Sequence, residues 1–440
     1  MKKIYFLLIC FLSASLFSCS DNGGGDDYKT FNVTVQVAAN ALEPIDGIKV
    51  NLRDANGVIS YDPKETDVDG KVTFNVPAGV YEASATEKRV IGGSTVTYNG
   101  IRSNIVVTDG WIETSFVELS LTESQITNLV IKELYTGGVT DNDVFFQHDK
   151  YVIIYNNSDE EADLSDLALA MVMPYNATVA NRDYDNGELF YAAEGWVPAG
   201  AGIWYFTNSV TLGAGEQLVI ALGNAVDNTI TYPSSINFDN AAYYCTYDPE
   251  SYSNATSYKP PVASIISSHH MKAYFYGAGN AWPLSISSPA FFLFSLKDIT
   301  LDGFRNSELN YYGDTQTLAN ARKKVRNEWV IDAVEVFSAG ANNNMKRFPA
   351  AIDAGYVDFT NRNGYSLYRN VDVEATMAIE GNEAKLVYND MSTGTGNDVS
   401  KDPSGIDAEA SIRNGARIIY KDTNNSSNDF FQRRQASLRD

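Results

Sequence analysis

Two of the three histidines in this chain stand side by side, in Ile265-Ile266-Ser267-Ser268-His269-His270-Met271-Lys272-Ala273-Tyr274-Phe275-Tyr276. Imidazole is the commonest metal ligand and also holds haem iron, and a thioether lies one residue further on. Strand geometry argues against either use. Neighbouring side chains on a strand point to opposite faces. His269, Met271, Ala273 and Phe275 would then share one face, and His270, Lys272, Tyr274 and Tyr276 the other. Two adjacent strand histidines cannot easily bind one metal, and His269 and Met271 cannot clamp a haem from both sides; a loop or bulge would relax this constraint. The expectation is one core-facing histidine, one exposed histidine, no metal and no resident cofactor. The face carrying His270, Tyr274 and Tyr276 is the predicted recognition surface, since tyrosine offers an apolar ring with a polar tip. Flat aromatic faces suit sugar rings, haem or catecholate ligands.

The same stretch belongs to a longer one, about residues 223–285, that is rich in aromatics and poor in aliphatics. Tyr247, Tyr252 and Trp282 join the predicted ligand contacts from it. Long connections in compact domains are usually functional or disordered. The competing expectation is that these rings pack over a sheet. Ala319-Asn320-Ala321-Arg322-Lys323-Lys324-Val325-Arg326 is a basic run in an acidic chain, predicted as a short helix, either solvated or forming one edge of an anion site. No catalytic residue is predicted. H-E-x-x-H, G-x-S-x-G, a P-loop and C-x-x-C are all missing, and no histidine sits in a recognisable triad frame. Carboxylates abound, so a two-acid glycosidase stays as a minor alternative. Cys245 has no cysteine partner within the mature chain and is expected to be a small buried apolar residue.

These candidates need a setting, and the N-terminus supplies one. Lys2 and Lys3 precede an apolar run, Ile4 to Leu12, too short to span a bilayer. Leu16-Phe17-Ser18-Cys19 then resembles a bacterial lipobox, in which Cys19 would carry acyl chains such as palmitate. Residues 20–27, Ser-Asp-Asn-Gly-Gly-Gly-Asp-Asp, are Gly-rich and acidic, the composition of a flexible tether. Acidic residues directly after the lipid cysteine resemble the surface-export signal of Bacteroides-type lipoproteins. The formal net charge is −22, and removal of the two signal lysines makes it more negative still. Such a surface repels phosphate backbones and anionic headgroups, which excludes nucleic acid as a natural partner and leaves the N-terminal lipid as the membrane attachment.

The rest of the chain consists of short β-branched and aromatic runs broken by Gly, Asn and Asp, the texture of antiparallel sandwiches. Phe31 to Val37 alternates apolar and polar with the period of a half-buried strand, and Asp69-Gly70 reads as a hairpin turn. Asp67 and Asp69 lack the further ligands of a calcium loop and read as turn residues. Asp46-Gly47-Ile48-Lys49-Val50-Asn51-Leu52, Thr66 to Phe74 and Val76-Pro77-Ala78-Gly79-Val80-Tyr81 resemble the signature strands of carboxypeptidase-regulatory-like (transthyretin-like, Cna-B-like) domains over about residues 28–121. That resemblance implies a spacer or stalk.

Residues 122–440 form the second predicted domain. Leu129-Val130-Ile131-Lys132-Glu133-Leu134-Tyr135, Tyr151 to Leu167, Leu212 to Ile220, Val330-Ile331-Asp332-Ala333-Val334 and Asp422 to Phe430 resemble, in order, the segments of a lamin-tail domain. The chain departs from that pattern at Ile153 and Ile154, where a glutamate is usual. Lamin-tail domains are Ig-like sandwiches that bind or adhere, so no catalytic residue is carried over. At this length the unit must hold insertions, predicted at about 223–285 and 300–328. Stalk plus lamin-tail on a lipoprotein resembles an uncharacterised Bacteroides family whose members are considered beside TonB-dependent receptors. The expectation is therefore a mainly β chain of two β-sandwich (Ig-like) domains. It would be lipid-anchored at the outer membrane and surface-exposed. There it would capture a glycan, haem or iron-chelate cargo, with a TonB-dependent receptor as the expected partner. A structural or adhesion module is the alternative.

Overall fold

The structure, a computed structural model, describes residues 29–38, 42–54, 59–91, 94–124, 128–185, 187–296, 298–307, 310–312, 321–393 and 402–439. The targeting segment, Cys19 and the tether at 20–27 lie outside these residues. The fold is mainly β, with four short α-helices among the described residues. No helix among them is long and apolar enough to cross a membrane.

Residues 29–124 build two facing sheets. The alternating run becomes the strand Thr30–Ala38, whose Phe31, Val33, Val35 and Val37 are buried while their neighbours are not. It pairs antiparallel with Lys71–Pro77 and parallel with Phe116–Ser120. The second sheet runs Ser60–Glu65, Lys49–Asp54, Gly79–Ile91, Ser94–Val107, Thr122–Ser124. Val33, Val35, Val50, Leu52, Phe74 and Ile105 fill the space between them. Asp69-Gly70 is a turn but not a hairpin: it carries the chain from Ser60–Glu65 in one sheet to Lys71–Pro77 in the other. The Asp67 carboxylate closes it by accepting from the Asp69 and Lys71 amides at 3.0 and 2.8 Å, the local side-chain bond that makes aspartate a turn former. Gly70 is required there. Its φ is +72°, and a Cβ would lie 2.7 Å from the Ile45 side chain.

The larger unit is one twelve-stranded sheet. Its spatial order is Val357–Phe359, Val330–Ser338, Ala290–Ser295, Leu167–Met171, Ile203–Tyr205, His270–Tyr274, Tyr244–Thr246, Gln217–Ala221, Tyr151–Asn156, Leu129–Tyr135, Ser366–Arg369, Phe430–Arg433. Twisted open sheets beyond about ten strands tend to curl, and this one curls until its ends meet: Thr360 N donates to Gln432 Oε1 at 2.7 Å. One inner cluster, including Ile131, Ile154, Leu169, Trp204, Ile220, Met271, Leu293, Val334, Phe359, Leu367 and Phe430, draws on nearly every strand.

The outer faces are covered as well. Strands Leu129–Tyr135, Tyr151–Asn156 and Leu167–Met171 are buried at every position. Three covers do this. Helix Leu301–Asn306 with the small sheet Trp196–Gly200, Arg322–Arg326, Tyr311–Tyr312 packs over Ala168, Ala170, Phe292 and Phe294. The stretch 225–265 lays Ile236, Phe238 and Ile265 over Tyr151, Ile153, Val219 and Cys245. A third cover, absent from the predicted insertions, brings Ile406, Ala408, Ile418 and Tyr420 onto Val130, Tyr155 and Tyr368. This explains the isoleucines at 153 and 154. Ile154 faces the inner cluster and Ile153 the covered outer face, so a carboxylate at either place would be buried. Cys245 is fully buried, and burial pushes its thiol up to about 12, which makes it inert.

Candidate functional site

The predicted recognition face is not displayed. The alternation holds from His270 onward, with Met271 and Ala273 inward and His270, Lys272 and Tyr274 half-buried on the other side. His269 lies before the strand, in the single turn Ser267–His269, and is not core-facing. Its Nδ1 sits 3.1 Å from Tyr243 O and its ring stacks on Tyr244 with centroids 4.1 Å apart. His270 Nε2 sits 3.2 Å from Ile265 O, with the ring edge-on to Tyr247. Both imidazoles are thus held by backbone carbonyls. No group of three or more His, Cys, Asp or Glu among the described residues is arranged for a metal ion.

Three of the predicted contacts are core residues. Tyr252 is 1% exposed, Tyr276 4% and Trp282 5%. The Tyr252 hydroxyl donates to Ala201 O at 2.7 Å and that of Tyr276 to Ala199 O at 2.9 Å. A tyrosine can be buried when its hydroxyl finds such a partner, and that is what the sequence pattern did not reveal. Tyr274 is half-buried, donating to Arg305 O at 2.9 Å beneath the Arg305 guanidinium. Tyr247 is half-buried between the inner cluster and one cover.

The basic run is also corrected. Arg322–Arg326 is a strand paired with Trp196–Gly200, not a helix. Each of its cations is matched. Arg322 meets Asp183 at 2.5 Å, Lys324 meets Glu194 at 3.6 Å, and Arg326 meets Asp298 and Glu328 at 2.6 and 3.1 Å. Lys323 donates to the carbonyls of Phe304, Arg305 and Ser307, the C-terminal end of the short helix. No free anion site remains on this strand.

What the fold does assemble is a cleft of about 430 Å³ at one mouth of the curled sheet. Its walls are strand ends and their connections. Gln147, His148 and Lys150 precede Tyr151–Asn156, Tyr175 and Asn176 follow Leu167–Met171, and Leu222 and Gly223 follow Gln217–Ala221. Ala281 to Ser287 precede Ala290–Ser295, and Asn361 follows Val357–Phe359. Barrel mouths are a recurrent place for ligand sites. Gly223 admits no side chain here, since a Cβ would lie 2.4 Å from His148 O.

Three aromatic residues line the cleft: Tyr175, 43% exposed at the rim, and the buried Tyr258 and Trp282. Tyr258 Oη accepts the Trp282 amide at 2.9 Å and fixes the wall. The polar lining is amide and hydroxyl, from Gln147, Asn176, Ser257, Ser285, Ser287 and Asn361, with no Asp or Glu among the described residues that line it. Lys150 turns its Nζ onto Leu284 O at 2.5 Å, and burial lowers the ammonium to about 8 against the pull of neighbouring Asp149. His148 is pushed down by burial first and then by Lys150 and Lys259, so its ring is neutral at pH 7. Of the predicted residues only Trp282 reaches this cleft. His148, Lys150, Tyr175 and Tyr258 were missed. A readable signal was available for the first two, because His148-Asp149-Lys150 abuts the apolar strand that starts at Tyr151.

The family described as protein of unknown function (DUF4876) matches residues 214–437, half of the chain. This chain belongs to the DUF4876 family. The matched span takes in Tyr258 and Trp282, while His148, Lys150 and Tyr175 lie before it. The crystal structure of a DUF4876 family protein from Bacteroides thetaiotaomicron VPI-5482, at 2.50 Å resolution, is 20% identical. That match covers 91% of this chain and 94% of that one, with a TM-score of 0.48. Among the curated proteins, none matches.

Proposed function

We propose that this DUF4876 protein is a surface lipoprotein that binds a sugar ligand in the cleft at the sheet mouth and presents it to an outer-membrane importer of the TonB-dependent kind. The observation that carries the reading is the lining of the cleft, an aromatic wall beside neutral amides and hydroxyls. That is the chemistry a pyranose asks for, an apolar face and many uncharged hydrogen-bonding groups. Binding rather than turnover fits the same lining. The carboxylate pair on which glycoside hydrolysis depends has no counterpart among the described lining residues.

Isothermal titration of the mature chain against neutral pentasaccharides tests the binding. Tyr175→Ala, at an exposed position, should weaken a binding probe by about tenfold with little change in melting temperature. If no pentasaccharide binds, or if Tyr175→Ala binds as well as wild type, the reading fails. A second cargo, haem or an iron chelate, is favoured by one feature, the neutral His148 on the cleft wall. Haem titration decides it: a shifted Soret band that His148→Ala abolishes would replace the sugar reading.

The anchor is tested separately. Cys19→Ala should move the protein from the outer-membrane fraction to the soluble one and remove the mass of the acyl chains. A variant that stays in the membrane fraction at unchanged mass would overturn the lipoprotein reading.

A further inference from the structure

A second depression lies close to the cleft and has the opposite character. It encloses about 610 Å³ and is lined by Thr229, Ser234, Asn237, Asn363, Arg434 and Arg439 among others, with Leu438 and Pro233 as its apolar part. In a chain of net charge −22, two guanidiniums in one hydroxyl- and amide-lined pocket call for an explanation. Neither has a carboxylate partner among the described residues. Arg434 donates through Nη2 to Asp390 O, and Arg439 through Nη1 to Gly364 O at 3.1 Å. Each guanidinium carries five N–H donors, so most remain to be used. The carboxylate of Asp141 on the adjoining hairpin is occupied by the Ser234 amide at 2.8 Å.

The two depressions are neighbours. Asn361 lines the cleft and Asn363 lines the polar pocket. Two residues of chain span at most about 7 Å. Between them stands Arg362, its guanidinium over the Phe145 ring at 4.5 Å. The backbone there is closely packed, for a Cβ on Gly138 would lie 3.1 Å from Phe145 and 3.7 Å from Arg362 N. Arg362 and its neighbours therefore separate an aromatic hollow, whose one lysine is turned onto Leu284 O, from a polar one that holds two guanidiniums.

We infer that the cleft and the Arg434–Arg439 pocket are adjoining subsites of one groove for an oligosaccharide that bears a single oxyanion, a neutral pyranose lying in the cleft and the carboxylate or sulfate of a neighbouring sugar lying against the guanidiniums. This rests on the sugar reading above and extends it to the ligand's length and charge. Guanidinium forks match the paired oxygens of carboxylates and sulfates. The negative charge of the whole chain repels dense polyanions, so the fitting class is a glycan with sparse acid groups rather than a polyuronate.

The test is titration calorimetry on the mature chain with four probes: xylopentaose, xylobiose, methylglucuronosyl-xylotetraose, which adds one carboxylate, and a monosulfated galactan tetrasaccharide, which carries a sulfate instead. The acid-bearing probes should bind about tenfold or more tighter than xylopentaose at low salt, and the gap should close as salt rises. Xylobiose should bind more weakly than xylopentaose. Arg434 is exposed, so Arg434→Gln should keep its melting temperature and abolish the acid preference, bringing the acid-bearing probes to the affinity of xylopentaose for the same variant. Preference for only one of the acidic probes would narrow the class to uronate or to sulfate. Xylopentaose binding that depends on Tyr175 but shows no acid preference, or an acid preference that survives Arg434→Gln, overturns the joint groove while the sugar reading stands. No binding of any probe overturns both.

Discussion

Arg369→Ala should destabilise the chain by ~3–5 kcal/mol, the cost of removing one partner from a buried ion pair. Arg369 ends the strand Ser366–Arg369 and is completely buried. Its guanidinium bonds Asp332, donates from Nε to Ile131 O and from Nη1 to Lys421 O, both at 2.8 Å, and lies 3.7 Å from Asp429 and 4.0 Å from Asp422. Three buried carboxyl groups thus surround one cation, and its loss would leave those that are ionised, Asp332 and Asp429, without their counter-charge. Against a typical total stability of ~5–15 kcal/mol, such a loss is severe, and urea denaturation would read it directly.

Asp422→Asn is the informative contrast. Burial first, and then Asp332 beside it, push the Asp422 carboxyl up to about 8. The group is therefore protonated in the fold at neutral pH, and an amide should cost little there. The sign of the pH effect follows. A raised folded pKa contributes stability that is complete below the unfolded value near 3.9 and is lost as pH rises through about 8. Asp149 and Asp353, both raised by burial to about 6, act in the same direction at lower pH. Wild type should lose more stability than Asp422→Asn between pH 5.5 and 8. Comparing the two proteins cancels His148, whose lowered value works the other way. Equal slopes, or a large loss from Asp422→Asn at pH 7, would refute this protonation state.

The second large effect separates core aromatics from surface ones. Tyr252→Ala should cost ~3–5 kcal/mol, as buried aromatic truncations do. Its ring packs against Trp204, Phe275 and Tyr258 at centroid distances of 5.3, 5.2 and 6.0 Å, and its hydroxyl leaves Ala201 O unpaired when removed. Trp282→Ala should fall in the same range for its packing against Phe291, and as a cleft wall it should also weaken any cleft ligand. Tyr175→Ala should stay within about 0.5 kcal/mol. Melting curves on the three variants decide the matter. A stable Tyr252→Ala would mean that its ring is not part of the inner packed cluster.

Several features were legible because they are local. The alternation in Phe31 to Val37 fixed both the strand and its buried face, since a period of two leaves no other solution. Asp67 and Gly70 announced a turn through side-chain hydrogen bonding and a positive φ. The same local signal could not say that the turn crosses between sheets, because the partner strand, Thr30–Ala38, lies far away in sequence. The basic run 322–326 reads as a helix by composition alone. It became a strand because Trp196–Gly200 offered it a ladder and because Asp183, Glu194 and Asp298 stood ready for its charges.

By itself the sequence determined that this is a mainly β chain with a strongly negative charge and that Cys245 is a small buried residue. Those properties follow from periodicity, summed charge and composition. Tertiary structure alone decided which tyrosines are surface and which are core. An aromatic-rich, aliphatic-poor segment is compatible with both, and the outcome depends on whether backbone carbonyls such as Ala199 O and Ala201 O are within reach of a buried hydroxyl. It also decided where the candidate site lies. The cleft takes residues from 147 to 361 and exists because the curl of a twelve-stranded sheet brings those strand ends to one mouth, a closure that no local stretch of sequence encodes.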